Sequence, residues 1–178
     1  MAYDQTDQKS LSALIRKLGK PEFDSPSAYL SFCYSAIAAY RELAVQTPQT
    51  PLFQGHLLRI NSNLGHVIKT SWGGVDIEKH EHPVVEKFLV VQSGRFLAYE
   101  KHEQKVETLN VKEGHGLLVF RPDGSNNLQT EALIPGYTRT LQPNHEHTII
   151  ALSDLLVFES SIDPKGMDQD LIFIYEPS

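Results

Sequence analysis

Hydrophobic positions in the first fifty residues recur at helical spacing. Leu11, Leu14, Ile15 and Leu18 return every three or four residues behind Ser10, a competent cap, and Gly19 can end the helix. Ser25-Pro26 supplies a second cap and a first-turn proline. Behind it Tyr29, Cys33, Ala36, Ile37, Tyr40, Leu43 and Ala44 form one apolar stripe, which makes Cys33 a small core residue rather than a nucleophile. Thr47-Pro48 stops this helix, and residues 47–51 read as a linker.

From Gln54 the period changes. Short segments rich in Val, Ile, Leu, Phe, Tyr and Thr alternate with turn residues at Gly65, Gly73-Gly74, Ser93-Gly94, Gly114, Pro122-Asp123-Gly124 and Pro135-Gly136. Many short strands between regular turn signals predict an all-β sandwich or barrel. No further helix is expected in this stretch, and Arg59 falls on a strand leading toward Trp72, itself read as core. Leu155–Ser160 and Leu171–Tyr175 also read as strands, the latter closing this sheet or joining a neighbouring subunit's. The expected organisation is a helical extension at 1–50, a barrel at 54–162, and a tail at 163–178 carrying one strand.

Charge narrows the partners. Sixteen Lys and Arg stand against 22 Asp and Glu, a net charge of −6 with the eight histidines neutral. No basic stripe is available to displace counterions, so neither nucleic acid nor an anionic membrane surface is an expected partner. The single cysteine excludes an intramolecular disulfide. Met1–Ser10 lacks the layout of a secretory signal, and the apolar runs are too short to span a bilayer. The expectation is a cytoplasmic protein.

Candidate chemistry comes from two His-Glu-His triplets, at 80–82 and 145–147. Residues two apart on a strand share a face, so each triplet can aim two imidazoles at one point. Glu86 follows after the bend at Pro83. Neutral imidazoles with one carboxylate suit a first-row transition metal rather than calcium or magnesium. If the strand into the second triplet is unbroken, Tyr137 and Arg139 share the face of His145 and His147, which makes Arg139 a fixed cation beside the site. Arg59 is a second candidate for anion binding. His56, His66, His102 and His115 have no partner at ligand spacing and read as structural or solvated.

The stretch from Gly74 through His80, His82 and Glu86 to Gly94 resembles the first motif of the cupin superfamily: a glycine, five residues, HxH, three or four residues, a glutamate, and about six residues to a glycine. Pro143-Asn144-His145-Glu146-His147 resembles the second motif, in which a proline-bearing turn precedes one metal-binding histidine. The resemblance covers roughly residues 54–162. It implies a mostly β fold, a double-stranded β-helix (jelly-roll) barrel, here with an N-terminal helical extension. It also implies one divalent metal on His80, His82, Glu86 and His147, with Fe(II) favoured and Mn, Ni or Zn possible. Two departures stand out: seven residues separate Glu86 from Gly94, and Ala151 stands where the second motif often has an asparagine. Either would leave three histidines as the ligands.

Three functions follow from that likeness. The first is a dioxygenase-type oxidoreductase acting on a small molecule, with His145 and Arg139 as catalytic candidates and Arg59, Tyr137 and Arg139 binding substrate. The helical arm, Arg59, Trp72-Gly73 and Phe88-Leu89 are similar to the thiol dioxygenase branch, although Phe158 and Glu159 stand where that branch has a tyrosine before Ser-Pro. The second is a metal-dependent sugar-phosphate isomerase or epimerase, and the third a non-catalytic binding barrel. Cupin barrels commonly pair through sheet edges, so a homodimer is expected.

Overall fold

The computed structural model describes residues 5–43 and 45–177; Ala44 of the second stripe and residues 1–4 lie outside them. Three helices come first: α1 (Gln5–Leu18), α2 (Pro26–Arg41) and α3 (Pro51–Asn61). The strands follow as β1 (Val67–Thr70), β2 (Gly73–Glu81), β3 (Val84–Val91), β4 (Tyr99–His102), β5 (Val106–Glu113) and β6 (Gly116–Phe120). They continue as β7 (Gln129–Leu133), β8 (Thr138–Leu141), β9 (His147–Ala151), β10 (Leu155–Ile162) and β11 (Leu171–Tyr175). Two antiparallel sheets result, ordered β1-β2-β3-β10-β5-β8 and β11-β4-β9-β6-β7. Strands distant in sequence, such as β3 and β10 or β6 and β9, are neighbours in space, as a jelly roll requires.

Helices cover both outer faces of this sandwich. On β6, Leu117 and Val119 pack with Leu14, Tyr29, Cys33 and Ile37 of α1 and α2, while Leu118 and Phe120 point between the sheets at Leu109, Leu141 and Val157. With both faces covered, β6 is buried at every position, which is why Gly116–Phe120 reads as an unbroken apolar run. Each such large side chain contributes about 1.5–3 kcal/mol through burial. Ser25 caps α2 by accepting a hydrogen bond from the Ala28 amide at 3.1 Å. Cys33 sits wholly inside this layer, and burial pushes its thiol up to about 12.

The region after Pro51 corrects the expectation of strands alone. Phe53, Leu57 and Ile60 lie on one face of α3, packed over Val90, Leu156 and Phe88 on the outer face of the six-stranded sheet. Thr50-Pro51 gives the same start signal as Ser25-Pro26. Arg59 therefore stands in the last turn of a helix, not on a strand. At the other end, β11 pairs with β4 of its own sheet, and Tyr175 stacks within about 6 Å of Tyr29 and Tyr99.

Candidate functional site

Alternation along the inner strands delivers a set of charged side chains into the space between the sheets. On β3, Lys87 and Leu89 face inward; on β5, Glu107 and Leu109; on β10, Val157 and Glu159. From the five-stranded sheet come Glu100 and His102 of β4 and His147 and Ile149 of β9, with Glu100 and His147 directly opposite in register. All of these except Val157 line a cavity of about 430 Å³, whose apolar wall includes Trp72, Leu97 and Phe173. Trp72 is thus a wall residue as well as a core one.

Both histidines are held by the nitrogen that faces away from the cavity. His147 Nδ1 lies 2.9 Å from the His145 carbonyl oxygen, which can only accept, so this nitrogen carries the proton. His102 Nδ1 donates likewise to Asp170 Oδ1 at 3.0 Å. Asp170 is fixed in turn by the Gln104 and Lys105 amides, and those bonds lower its pKa against the effect of burial. Each Nε2 then faces Glu107, at 2.8 Å from Oε1 for His147 and 3.9 Å from Oε2 for His102. Glu107 is buried, and its Oε1 forms an ion pair with the His147 imidazole. Imidazoles pinned through Nδ1, with Nε2 turned to a shared carboxylate, are what an N/O metal site needs.

The other half of the polar lining is an ion-pair network. Lys105 Nζ lies 2.9 Å from Glu107, 2.5 Å from Glu159 and 2.8 Å from Asp168, while Lys87 Nζ meets Asp168 at 2.5 Å and Glu159 at 3.6 Å. Burial opposes the charge on both lysines, but the carboxylates outweigh it and raise both above the ordinary lysine value. Around these two ammonium groups stand Glu100, Glu107, Glu159 and Asp168, so carboxylates are in excess. Protons make up the difference. Burial drives Glu100 up to about 7, and the Glu107 carboxylate raises His147 to about 9 against the desolvation that lowers it.

The predicted site residues are placed as follows. His147 lines the cavity, but His80, His82 and Glu86 do not join it. His80 and His82 are exposed; a bulge between Ile77 and Lys79 and the turn at His82-Pro83 break the alternation that was to align them. Glu86 sits between inward-facing Val85 and Lys87 and so points out of the barrel. His145 stands outside the cavity with Nε2 3.7 Å from Asp123, contributing only its backbone carbonyl to His147. Arg139 and Tyr137 do come together, but on Glu131: Arg139 Nη2 is 2.6 Å from its carboxylate, the Tyr137 hydroxyl donates to it, and the guanidinium lies 4.4 Å from the Phe120 ring. Neither lines the cavity. Arg59 is spent on Asp76, 2.9 Å away on the outer face of β2.

His102, Glu100 and Glu107 were missed, and a signal for them exists. Gly94, five residues, Glu100-Lys101-His102, four residues, Glu107, six residues, Gly114 has the same spacing as the motif quoted above, with Glu100 where the first histidine would be. Gly94 and Gly114 both take positive φ, and a Cβ on Gly114 would lie 1.9 Å from the Asp154 carbonyl oxygen. Among the described residues, the donor atoms that lie within 4.8 Å of one another are those of His56, Asp76 and Glu78 on the outer face of β2, where Arg59 already supplies the positive charge; the cavity donors are spread more widely.

No protein-family profile matches the chain, and no curated protein matches it by sequence. Solved structures do share its architecture. The capsular polysaccharide assembling protein CapF from Staphylococcus aureus matches 61% of this chain and 34% of its own, at 15% identity and a TM-score of 0.53. Bacillus subtilis oxalate decarboxylase, described by its Mn(II) centers, matches 65% and 31% at 14% identity and 0.53. Procruciferin, an 11S globulin from Brassica napus, matches 60% and 28% at 8% identity and 0.50. This is a cupin fold. The matched cupin region spans about a third of each of those longer chains. At such identity the likeness establishes the cupin fold alone, which hosts unrelated functions. Among the described residues no helix is long and apolar enough to cross a membrane.

Proposed function

We propose that the cavity holds one divalent transition metal on His102, His147 and Glu107, with Glu100 beside them, and that the protein is a metal-dependent oxidoreductase of the oxygenase type acting on a small molecule. The observation that carries this reading is the pair of imidazoles whose Nδ1 protons are committed to Asp170 and the His145 carbonyl while each Nε2 faces Glu107. Two histidines and one carboxylate with open positions suit Fe(II), and a set with a second carboxylate also suits Mn(II). The excess of carboxylates in the cavity matches a dication, and the Mn(II) centers of a cupin-fold oxalate decarboxylase lend support. When bound, the metal would supply Lewis acidity and, as iron, one-electron chemistry to a small molecule beside it. The chain's own residues do the rest. Trp72, Leu97 and Phe173 offer an apolar wall to the small molecule, and Glu100 sets a further carboxylate beside the three donors.

One observation favours a second reading. Lys105 Nζ, 2.9 Å from Glu107, already neutralises that carboxylate, as a metal-free binding barrel would need. Anaerobic titration of chelator-treated protein with Fe(II) and Mn(II) separates the two. One equivalent should bind to the native chain and to the His80→Ala/His82→Ala variant, with binding lost in His102→Ala/His147→Ala. Oxygen uptake with iron-loaded protein and a panel of small acids, thiols and phenols then tests the chemistry. Failure of the native chain to take up either metal would leave the binding barrel.

A further inference from the structure

We infer that Lys87 and Lys105 form a receptor for the carboxylate of a small organic acid, and that Asp168 fills this receptor from within the chain. The inference deepens the reading above by naming a substrate class, but the receptor and its test need no metal.

The two lysines are built into the barrel wall, Lys87 on β3 and Lys105 at the entry to β5, and their side chains are 5% and 1% exposed. Asp168 belongs to no wall strand. It comes from the turn between β10 and β11, where Met167 and Asp168 take φ of 49° and 59°, a left-handed conformation that residues other than glycine adopt at a cost. The turn is held on both sides: Asp163 accepts the Gly166 amide at 3.0 Å and the Asp168 amide at 2.8 Å, and Asp170 is bound to His102 and to the Gln104 and Lys105 amides. At the tip, Asp168 offers one oxygen to each lysine, Oδ2 to Lys87 at 2.5 Å and Oδ1 to Lys105 at 2.8 Å. A carboxylate gripped by two ammonium groups is the geometry a bound organic acid would adopt.

Glu159 is the contrasting case. It faces the same lysines from β10, in register with Lys87, and gives them a permanent partner that cannot leave without unpairing a central strand. Asp168 stands instead on a connecting turn, with its side chain 27% exposed. The cavity lining also includes the apolar side chains Leu97, Trp72 and Phe173, while Glu107 bridges Lys105 and His147. A ligand anchored by its carboxylate would therefore lay an uncharged body against that apolar lining. Its class is a monocarboxylic acid with an apolar tail of a few carbons, within the about 430 Å³ available.

The test uses the full chain, stripped of metal with a chelator, as native protein, Asp168→Ala and Asp168→Asn. Each is titrated with acetate, butyrate and hexanoate at constant ionic strength set with chloride, and binding is read by calorimetry and by the shift in thermal midpoint. Emptying the receptor should raise carboxylate affinity roughly ten-fold or more over the native chain. Affinity should also rise with chain length, by about four-fold for each methylene that becomes buried. Adding Lys87→Met or Lys105→Met to Asp168→Asn should abolish both effects. Should Asp168→Ala fail to fold, Asp168→Asn keeps the shape of the turn and carries the comparison. Carboxylates binding either variant no better than chloride, or binding that survives loss of the lysines, would overturn the receptor and leave Asp168 as a structural partner. Metal uptake by Asp168→Asn, measured separately, shows whether the metal reading fails with it.

Discussion

The β2–β3 hairpin and the consecutive strands β4 and β5, which belong to opposite sheets, carry the same donor pattern and put it to opposite ends. In the first, His80 and His82 precede Glu86; in the second, Glu100 and His102 precede Glu107. Each pattern has its first two donors two residues apart, and each is followed by a carboxylate within five residues. Yet Glu107 is buried in the cavity between two imidazoles and a lysine, while Glu86 points away from it. Spacing fixes which side chains share a face, not which face is covered. The β4–β5 donors face inward because Tyr99, Leu109 and Val111 occupy the alternate or adjoining positions of a packed sandwich. In the first hairpin Val85, Lys87 and Leu89 take the inward places, and Glu86 is left with the outer ones.

Removing the two carboxylates in turn gives the widest separation. Glu107→Ala strips a buried partner from Lys105 and His147 at once, and should cost about 3 kcal/mol or more in metal-free protein. Glu86→Ala removes a half-buried side chain and should stay within about 0.5 kcal/mol. Urea unfolding of both variants measures the difference. Equal losses would mean that the outward hairpin carries structural weight that its position does not explain.

The same contrast explains what was legible in the sequence. The two N-terminal helices could be read because a continuous stripe, Tyr29 through Tyr40, repeats over three turns behind a proline start. The barrel could be read because turn glycines punctuate short strands. Helix α3 was obscured by its length and by Gly55 in its interior, although Phe53, Leu57 and Ile60 already carried the period. For the site, His147 was visible, whereas the side chains that share its cavity lie one strand pair later in the chain than the spacing suggested. Gly94 closes one frame and opens the other, so counting alone left both available. What separates them is the bulge after Ile77 and the turn at His82-Pro83, which are tertiary outcomes. His102 had no histidine two residues away and so drew no attention; Glu100 was its partner.

A finer probe leaves the metal donors in place and alters what holds one of them. Asp170→Asn keeps the size of the side chain but removes the charge that fixes the His102 Nδ1 proton, and its amide can present a donor where an acceptor is needed. Metal affinity should fall by roughly 10- to 100-fold. Asp76→Asn makes the matching change beside His56 on the outer face, where Asp76 Oδ2 lies 2.8 Å from Nδ1, and should leave the metal affinity of the cavity unchanged. Calorimetric titration with Mn(II) compares the two. A loss confined to Asp76→Asn would move the metal to His56, Asp76 and Glu78.

The smallest effect lies in the pH dependence of the turn that touches both regions, through Lys87 of β3 and Lys105 beside β5. Burial would raise the Asp168 carboxyl, but Lys105 and Lys87 outweigh it and hold the group at about 2, below its ordinary 3.8. A folded-state value below the unfolded one means stability that is present above about pH 4 and is lost as pH falls toward 2. Asp168→Asn cannot titrate at this position. The native chain should therefore exceed the variant in stability at pH 5, and the gap should narrow by about 1 kcal/mol by pH 3. Denaturant unfolding at the two pH values measures that change in the gap, which is independent of how much the substitution costs overall. A gap that holds constant would show that Asp168 gains nothing from its charge. The two lysines would then be neutralised by Glu159 and Glu107 alone, with the turn resting over them rather than gripped.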